Sequence, residues 1–381
     1  MRRPRVLAPA LTLVTALALT GCGGQTDDNV GGPTVTASPD ENGDETTPDP
    51  DGSTAQPGRP KVVETVATGL EVPWGLAFLP DTSALVTERD SGRVLAVERG
   101  SEPREVGRID EVDASGSEAG LLGIVASPDF SGDELVFLYV TTSEDNRVVR
   151  ATYDGERLGD TEVILDGIPN GNIHDGGRMV FGPDGYLYVS TGEIGEPELA
   201  QDRASLGGKI LRIDEDGNPA PDNPDPDSPV FSWGHRNVQG LAFDDDGNLW
   251  ASEFGANAFD ELNLIEAGEN YGWPEVEGRG DKPQFVDPQV VWNTDEASPS
   301  GLAYVDGHLW LAALRGQRLW RVGVDAGTAS EPTDFFVGKH GRIRTVAVDY
   351  EGNLWVTTSN RDGRGDPSED DDQILLVTPG G

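Results

Sequence analysis

The sequence predicts an all-β fold, a six-bladed β-propeller of four-stranded antiparallel blades, and three observations carry that prediction. A turn of Asp or Glu with Gly, followed by an alternating apolar strand, recurs six times: LPDTSALVTER (79–89), SPDFSGDELVFLYVTT (127–142), GPDGYLYVSTGE (182–193), DDDGNLWASE (244–253), VDGHLWLAAL (305–314) and DYEGNLWVTTS (349–359). The copies lie roughly 45 to 60 residues apart, the period of a propeller blade. No long apolar run of 3.6-residue period competes with them, so helices are expected to be few. The 50 glycines and 27 prolines suit many short strands joined by tight turns. Two packed sheets of a sandwich would leave a sixfold recurrence unexplained.

Taken in order, the chain begins with a segment that does not belong to the folded domain. Residues 1–21 read as a lipoprotein signal peptide: Arg2, Arg3 and Arg5 precede an apolar run from Val6 to Leu19, and Leu19-Thr20-Gly21-Cys22 has the form of a lipobox. The run is too short for a spanning helix. Cys22 is the one cysteine of the sequence and stands where a lipoprotein carries its thioether-linked lipid, so no disulfide can form within the chain. Residues 22–60 are Gly, Pro, Thr, Ser, Asp and Glu with hardly an apolar side chain. Such a composition cannot offset its ordering entropy and reads as a disordered tether. The expected arrangement is an extracytoplasmic domain, residues 61–381, held to a membrane through the Cys22 lipid. Its first strand, KVVETVA (61–67), is expected to pair with its last, QILLVTPG (373–380), because closing the ring that way hides both edges.

A formal charge of -40 makes nucleic acid an unsuitable partner, since affinity for it rests on Lys and Arg neutralising phosphates. Against that acidic background a convergence of arginines needs a reason. Within residues 172–193, His174 precedes a Gly-Gly turn and a strand-turn-strand unit, which places an imidazole at the mouth of the β architecture as a candidate base. Further polar, loop-like stretches are SEAGLLGI (117–124), WGHRNVQGLAF (233–243), ASEFGANAFDELNLIEAGENYGWPEVEG (251–278), ALRGQ (313–317) and GRIRTVAVD (341–349). Each falls where propellers build central sites.

Those stretches, with PWGLAFLP (73–80), HDGGR and GKILRI (208–213), resemble the soluble quinoprotein sugar dehydrogenases that use pyrroloquinoline quinone, the aldose dehydrogenase and soluble glucose dehydrogenase family. The resemblance covers nearly all of residues 61–381. It implies oxidation of an aldose at C1 to the lactone, with His174 as general base, a role imidazole suits near neutral pH. His235 is then a structural neighbour of the site. The cofactor is a tricarboxylate ortho-quinone, and the resemblance assigns it Arg236 and Asn237 of GHRN, Arg315 of ALRG, and Arg342 and Arg344 of RIR, whose alternation puts both guanidinium groups on one face of a strand. Glu118 aligns with a cofactor-contacting polar residue, and as a carboxylate it needs an arginine beside it. Two Ca²⁺ sites are implied: one at the quinone through the carbonyls of Gly255 and Ala256, and a structural one through Glu261 and Tyr271, with Glu253, Asp260 and Glu269 as alternative ligands.

The sequence departs from the family pattern in places. Ile173 stands where soluble glucose dehydrogenases carry an aspartate, so the base needs an orienting carboxylate from Asp175 or from a blade. Arg315 replaces a lysine of some relatives. A tyrosine expected after NYGWP is missing, and Trp292 and Thr294 are the residues offered in its place. The long insertions of the glucose enzymes are not evident, which points to an open cleft. The electron acceptor is left unassigned. The rival readings are a Ca²⁺-dependent propeller lactonase, which needs no arginine clamp, and a non-catalytic propeller binding glycans or proteins, which would have lost His174 or the arginines.

Overall fold

The computed structural model describes residues 58–380; the expected signal peptide, Cys22 and all but the last three residues of the expected tether lie outside them. Within that range the sixfold repeat becomes six antiparallel sheets. Strands β2–β5 (Pro73–Phe78, Ala84–Glu88, Arg93–Val97, Arg104–Arg108) form the first complete blade, and β6–β9 (Leu121–Ala126, Leu135–Thr141, Asn146–Thr152, Glu162–Ile168) the second. The third is β10–β13 (Met179–Phe181, Leu187–Ser190, Lys209–Ile213, Val230–Trp233), and the fourth β14–β17 (Val238–Phe243, Leu249–Glu253, Phe259–Ile265, Val290–Asn293). The fifth is β18–β22 (Pro299–Val305, His308–Ala313, Arg318–Asp325, Thr328–Ala329, Thr333–Phe335), with a fifth short strand at its margin. In the last blade β23–β25 (Ile343–Val348, Leu354–Thr358, Ile374–Thr378) are completed by β1 (Lys61–Ala67), which pairs with β25 as expected. Among the described residues helix is confined to Phe130–Asp133 and a single 3₁₀ turn, Pro197–Ala200.

The repeated sequence makes the hairpin between the first and second strand of each blade. In DDDGNLW the Asp244 carboxylate accepts the N–H groups of Asp246 and Asn248 at 3.0 and 2.8 Å, and its second oxygen takes the Trp250 indole N–H at 2.9 Å. Asp349 does the same for Glu351, Asn353 and Trp355. In these two blades one acidic side chain thus closes the turn and fixes the rotamer of a tryptophan that is buried between blades. The six innermost strands converge on the axis, and glycine lets them. A Cβ on Gly75 would lie 2.7 Å from the Leu122 carbonyl, and one on Gly301 2.8 Å from the Thr345 Cα, so the inner strands of neighbouring blades could not approach as they do. This close ring leaves the connections before the inner strands clustered around one mouth of the channel.

Candidate active site

The His174 loop lies between β9 and β10 and is held from three sides. Glu118, in the loop before β6, accepts the His174 N–H at 2.9 Å; Asn237 Oδ1 accepts the Gly176 N–H at 3.2 Å; and Asp175 Oδ1 accepts the Gly171 N–H at 3.0 Å. His174 sits in the left-handed region at φ 61°, a conformation that costs a β-branched or bulky residue dearly and is here over-determined by these contacts. Its ring Nδ1 lies 2.6 Å from Oε1 of Glu193, a carboxylate that is itself fully buried. A carboxylate at that distance accepts the Nδ1 proton, leaving the Nε2 lone pair free to take another. The carboxylate that meets the His174 ring is thus Glu193, in the loop after β11, whereas Asp175 turns inward to Asn146.

Next to this pair, Arg236 and Asn237 enter from the loop between β13 and β14. The Glu193 N–H donates to the Arg236 carbonyl at 2.9 Å, tying the two loops together. Burial lowers the Arg236 guanidinium below its ordinary range, the charges of Glu193, Glu253 and Glu118 acting against that, and its Nε is buried without a partner. Arg342, just before β23, and Arg344, within it, both reach Asp362, at 2.8 and 3.6 Å, so they do share one side of the chain there. Arg344 also donates to Gln239 Oε1 at 2.9 Å, and its Nε too is buried and unpartnered. Burial pushes Arg344 down to about 9, which keeps it charged at neutral pH. Glu118 finds the arginine it needs in Arg364, at 3.0 Å. Burial by itself would raise the Glu118 carboxyl, but the His174 N–H and the Arg364 charge hold it below the usual carboxylate range. Arg315 follows β19 on an exposed loop and makes no hydrogen bond or ion pair among the described residues.

The expected metal ligands fall in the loop after β15 and beneath it. Oε1 of Glu277 accepts the N–H groups of Ala256, Asn257, Ala258 and Phe259 at 2.7 to 3.1 Å, and Asp260 takes the Gly255 N–H. With these amides turned to carboxylates, the carbonyls of Gly255 and Ala256 accept no hydrogen bond among the described residues. Glu261 is buried beside Glu253; that burial first, and the second carboxylate next, raise it to about 8. Asn263 Oδ1, adjoining both, has no partner. Tyr271 does not reach Glu261 through its hydroxyl, which donates to the Leu264 carbonyl and accepts the Glu266 N–H; its ring stacks on His235 at 4.7 Å. Among the described residues no three His, Cys, Asp or Glu side chains converge on one point, so a cation held here would have to draw on neutral oxygens as well. Trp292 does not line the site: it stands in β17, the outermost strand of its blade, packed against Trp320.

The family model described as glucose/sorbosone dehydrogenase matches residues 70–375. The chain belongs to that family. Within the glucose/sorbosone dehydrogenases it is 29% identical to an aldose sugar dehydrogenase of Escherichia coli, over 83% of this chain and 92% of that one. It is 34% identical to quinoprotein glucose dehydrogenase B of Acinetobacter calcoaceticus, over 58% and 54% of the two chains. The solved PQQ-bound aldose sugar dehydrogenase of Streptomyces coelicolor superposes with a TM-score of 0.83 at 52% identity, covering 85% of this chain and 99% of that one. The residues that reasoning from sequence missed in this member of the family are Glu193, Asp362 and Arg364. Only Glu193 carried a signal, as the acid ending the strand that the His174 segment feeds.

Proposed function

We propose that the protein oxidises aldoses at C1 to lactones, using pyrroloquinoline quinone and Ca²⁺, with His174 as the general base. Family membership makes it a sugar dehydrogenase, an oxidoreductase acting on a sugar CH–OH group. The observation that carries the finer reading is the juxtaposition of the His174–Glu193 pair with buried arginines whose donors are not all used. An unpartnered buried guanidinium Nε is costly, and a planar polycarboxylate satisfies such donors with charge-assisted bonds. The residues present therefore fit the quinone, which Arg236, Arg342 and Arg344 would hold, with Asn237 fixing the base loop and Arg315 reaching in from its exposed position.

When bound, the quinone supplies the acceptor for the hydrogen and electron pair leaving C1. His174 Nε2 takes the proton of the C1 hydroxyl, and Glu193 holds the ring in the productive tautomer and stabilises the imidazolium that forms. Glu118 keeps the His174 backbone in its left-handed turn, so the ring faces the mouth. The free carbonyls of Gly255 and Ala256 suit a hard cation beside the cofactor, where it would act as a Lewis acid. The Glu253–Glu261–Asn263 group, two carboxylates with an unpartnered amide oxygen, suits a second, structural one. A propeller lactonase has no use for this cluster of arginines.

Loading the apoprotein with pyrroloquinoline quinone and Ca²⁺ and following dye reduction across several aldoses tests the reading. Turnover of at least one aldose, dependent on both additions, is expected; a protein that binds the quinone but is reduced by no aldose would refute it. The Cys22 anchor and extracytoplasmic location are proposed from the lipobox alone. Cys22→Ser is expected to leave the membrane fraction with its fold intact, and retention there would overturn the anchor.

A further inference from the structure

Arg178, the last residue of HDGGR, is a buried cation for which the proposed chemistry has no use. Its Nε donates to the Gln239 carbonyl at 2.8 Å and its Nη2 to Thr345 Oγ1 at 3.2 Å, and the guanidinium lies 4.2 Å from the centre of the Trp74 ring. No carboxylate lies within ion-pair distance of it among the described residues. Arg344 shares its surroundings: it donates to the Gln239 side chain and its own guanidinium lies 6.0 Å from the same ring. Burial first, and the Arg344 charge second, lower Arg178 to about 9, so both guanidinium groups are charged at neutral pH. On the far side of Arg178 a cavity of about 540 Å³ opens toward the opposite mouth, walled near the arginine by Leu76, Ile124, Leu241 and Val346. Arg178 is therefore a charged partition across the channel, one layer beneath Arg344.

The local charges do not balance. Arg178, Arg342 and Arg344 are all buried, and the buried acid among them is Asp362, which serves the latter two. In a low-dielectric interior an uncompensated charge acts over a distance at which water would screen it. The hydrogen bonds and the tryptophan face explain how Arg178 is tolerated there. They do not explain why a cation rather than a neutral side chain occupies the axis.

We propose that Arg178 is a positioning residue for charge, which raises the positive potential under Arg344 and thereby sets the reduction potential of the quinone held against it. The inference rests on the reading that the quinone contacts Arg344. A quinone that gains two electrons and fewer than two protons, as on taking up a hydride, becomes more anionic, so a fixed cation beneath it favours the reduced form over the oxidised one. Arg178 acts through space and through Gln239; it touches neither cofactor nor sugar.

Potentiometric titration of the reconstituted holoenzyme reads this directly, with quinone affinity measured by calorimetry on the same samples. Arg178→Gln is expected to reduce the preference for reduced over oxidised cofactor about tenfold, a fall in midpoint of about 30 mV for a two-electron couple, while Arg178→Lys stays close to wild type. A merely structural arginine would change melting temperature in both variants and leave the midpoint alone. Should Arg178→Gln fail to fold, Thr345→Asp, which brings a carboxylate within hydrogen-bond reach of Arg178, must lower the midpoint with the arginine still present. An unchanged midpoint in a folded, quinone-loaded Arg178→Gln protein overturns the proposal. Wild-type protein that takes up no quinone overturns both it and the cofactor reading, and is distinguished by the calorimetry.

Discussion

Two histidine–glutamate pairs stand at neighbouring loops of the same mouth, and they differ in one nitrogen. His174 meets Glu193 through Nδ1 at 2.6 Å, and His235 meets Glu253 through Nδ1 at 2.9 Å. The far nitrogen of His235 is spent on Ser232 Oγ at 2.9 Å, its ring is stacked on Tyr271, and it has no exposed surface. The far nitrogen of His174 has no partner among the described residues, and its side chain keeps 12% of its surface. A carboxylate on Nδ1 therefore does not make a base. What matters is whether Nε2 is left facing a substrate or is used to brace the scaffold.

The sharpest way to break that comparison is to remove both rings in turn. His174→Gln is expected to slow reduction of the bound quinone by an aldose roughly 10²- to 10⁴-fold, the usual contribution of a general base, with little change in melting temperature. His235→Gln is expected to do the reverse: leaving the buried Glu253 carboxylate without its partner costs about 1–3 kcal/mol of stability, with a far smaller change in the stopped-flow rate. Equal rate losses in the two variants would erase the distinction. Glu193→Gln sharpens it further, because an amide N–H facing Nδ1 forces the proton onto Nε2 and removes the lone pair. Its rate should fall toward that of His174→Gln, and a wild-type rate would mean that the tautomer is set by something other than Glu193.

Neither histidine variant should alter how tightly the quinone is held, whereas the arginines should. Replacing Arg342 and Arg344 by Ala is expected to weaken quinone binding by about 1.5 to 3 kcal/mol for each charge-assisted bond lost, read by calorimetry on a protein whose propeller still melts cooperatively. Unchanged affinity would return the two residues to the role of bracing Asp362.

How much of this was legible in the sequence follows from which interactions are local. The blades were readable because each repeat carries its own acidic turn and apolar strand within a few residues, three of them with a tryptophan as well, and even the closure of β1 on β25 followed from the need to hide two edges. His174 and the paired arginines were singled out through motifs, and the loops do bring Glu118 to the His174 backbone and Asn237 to Gly176. Glu193, Asp362 and Arg364 were not singled out, because each is one charge in a chain of 68 acids and 28 bases and gains its meaning from a partner far along the chain. Trp292 shows the converse error. Lying after the site-forming segment does not put a residue in the site, and the alternation of β17 points this side chain into the seam between blades.

The smallest predicted effect concerns Asp175, the acid that follows His174 in the chain but does not touch its ring. Its Oδ1 accepts from Asn146 and from the Gly171 N–H, each at 3.0 Å, while its buried Oδ2 has no partner, and burial raises the carboxyl from an ordinary 3.8 to about 6. A folded-state value above the unfolded one means that the native protein binds the proton more tightly. The stability Asp175 contributes is therefore fully present below about pH 4 and is lost as pH rises through about 6. Asp175→Asn removes the ionisation, keeps an oxygen for the two donors and puts N–H where the unpartnered oxygen was. Measured by denaturant unfolding, the variant should gain on the wild type between pH 4 and 7 by an amount on the order of 2 kcal/mol, with the base loop still closed on Glu118. A stability difference that stays flat across that window would show that Asp175 is already ionised at its lower end, and that the loop holding His174 carries a compensated charge rather than a neutral acid.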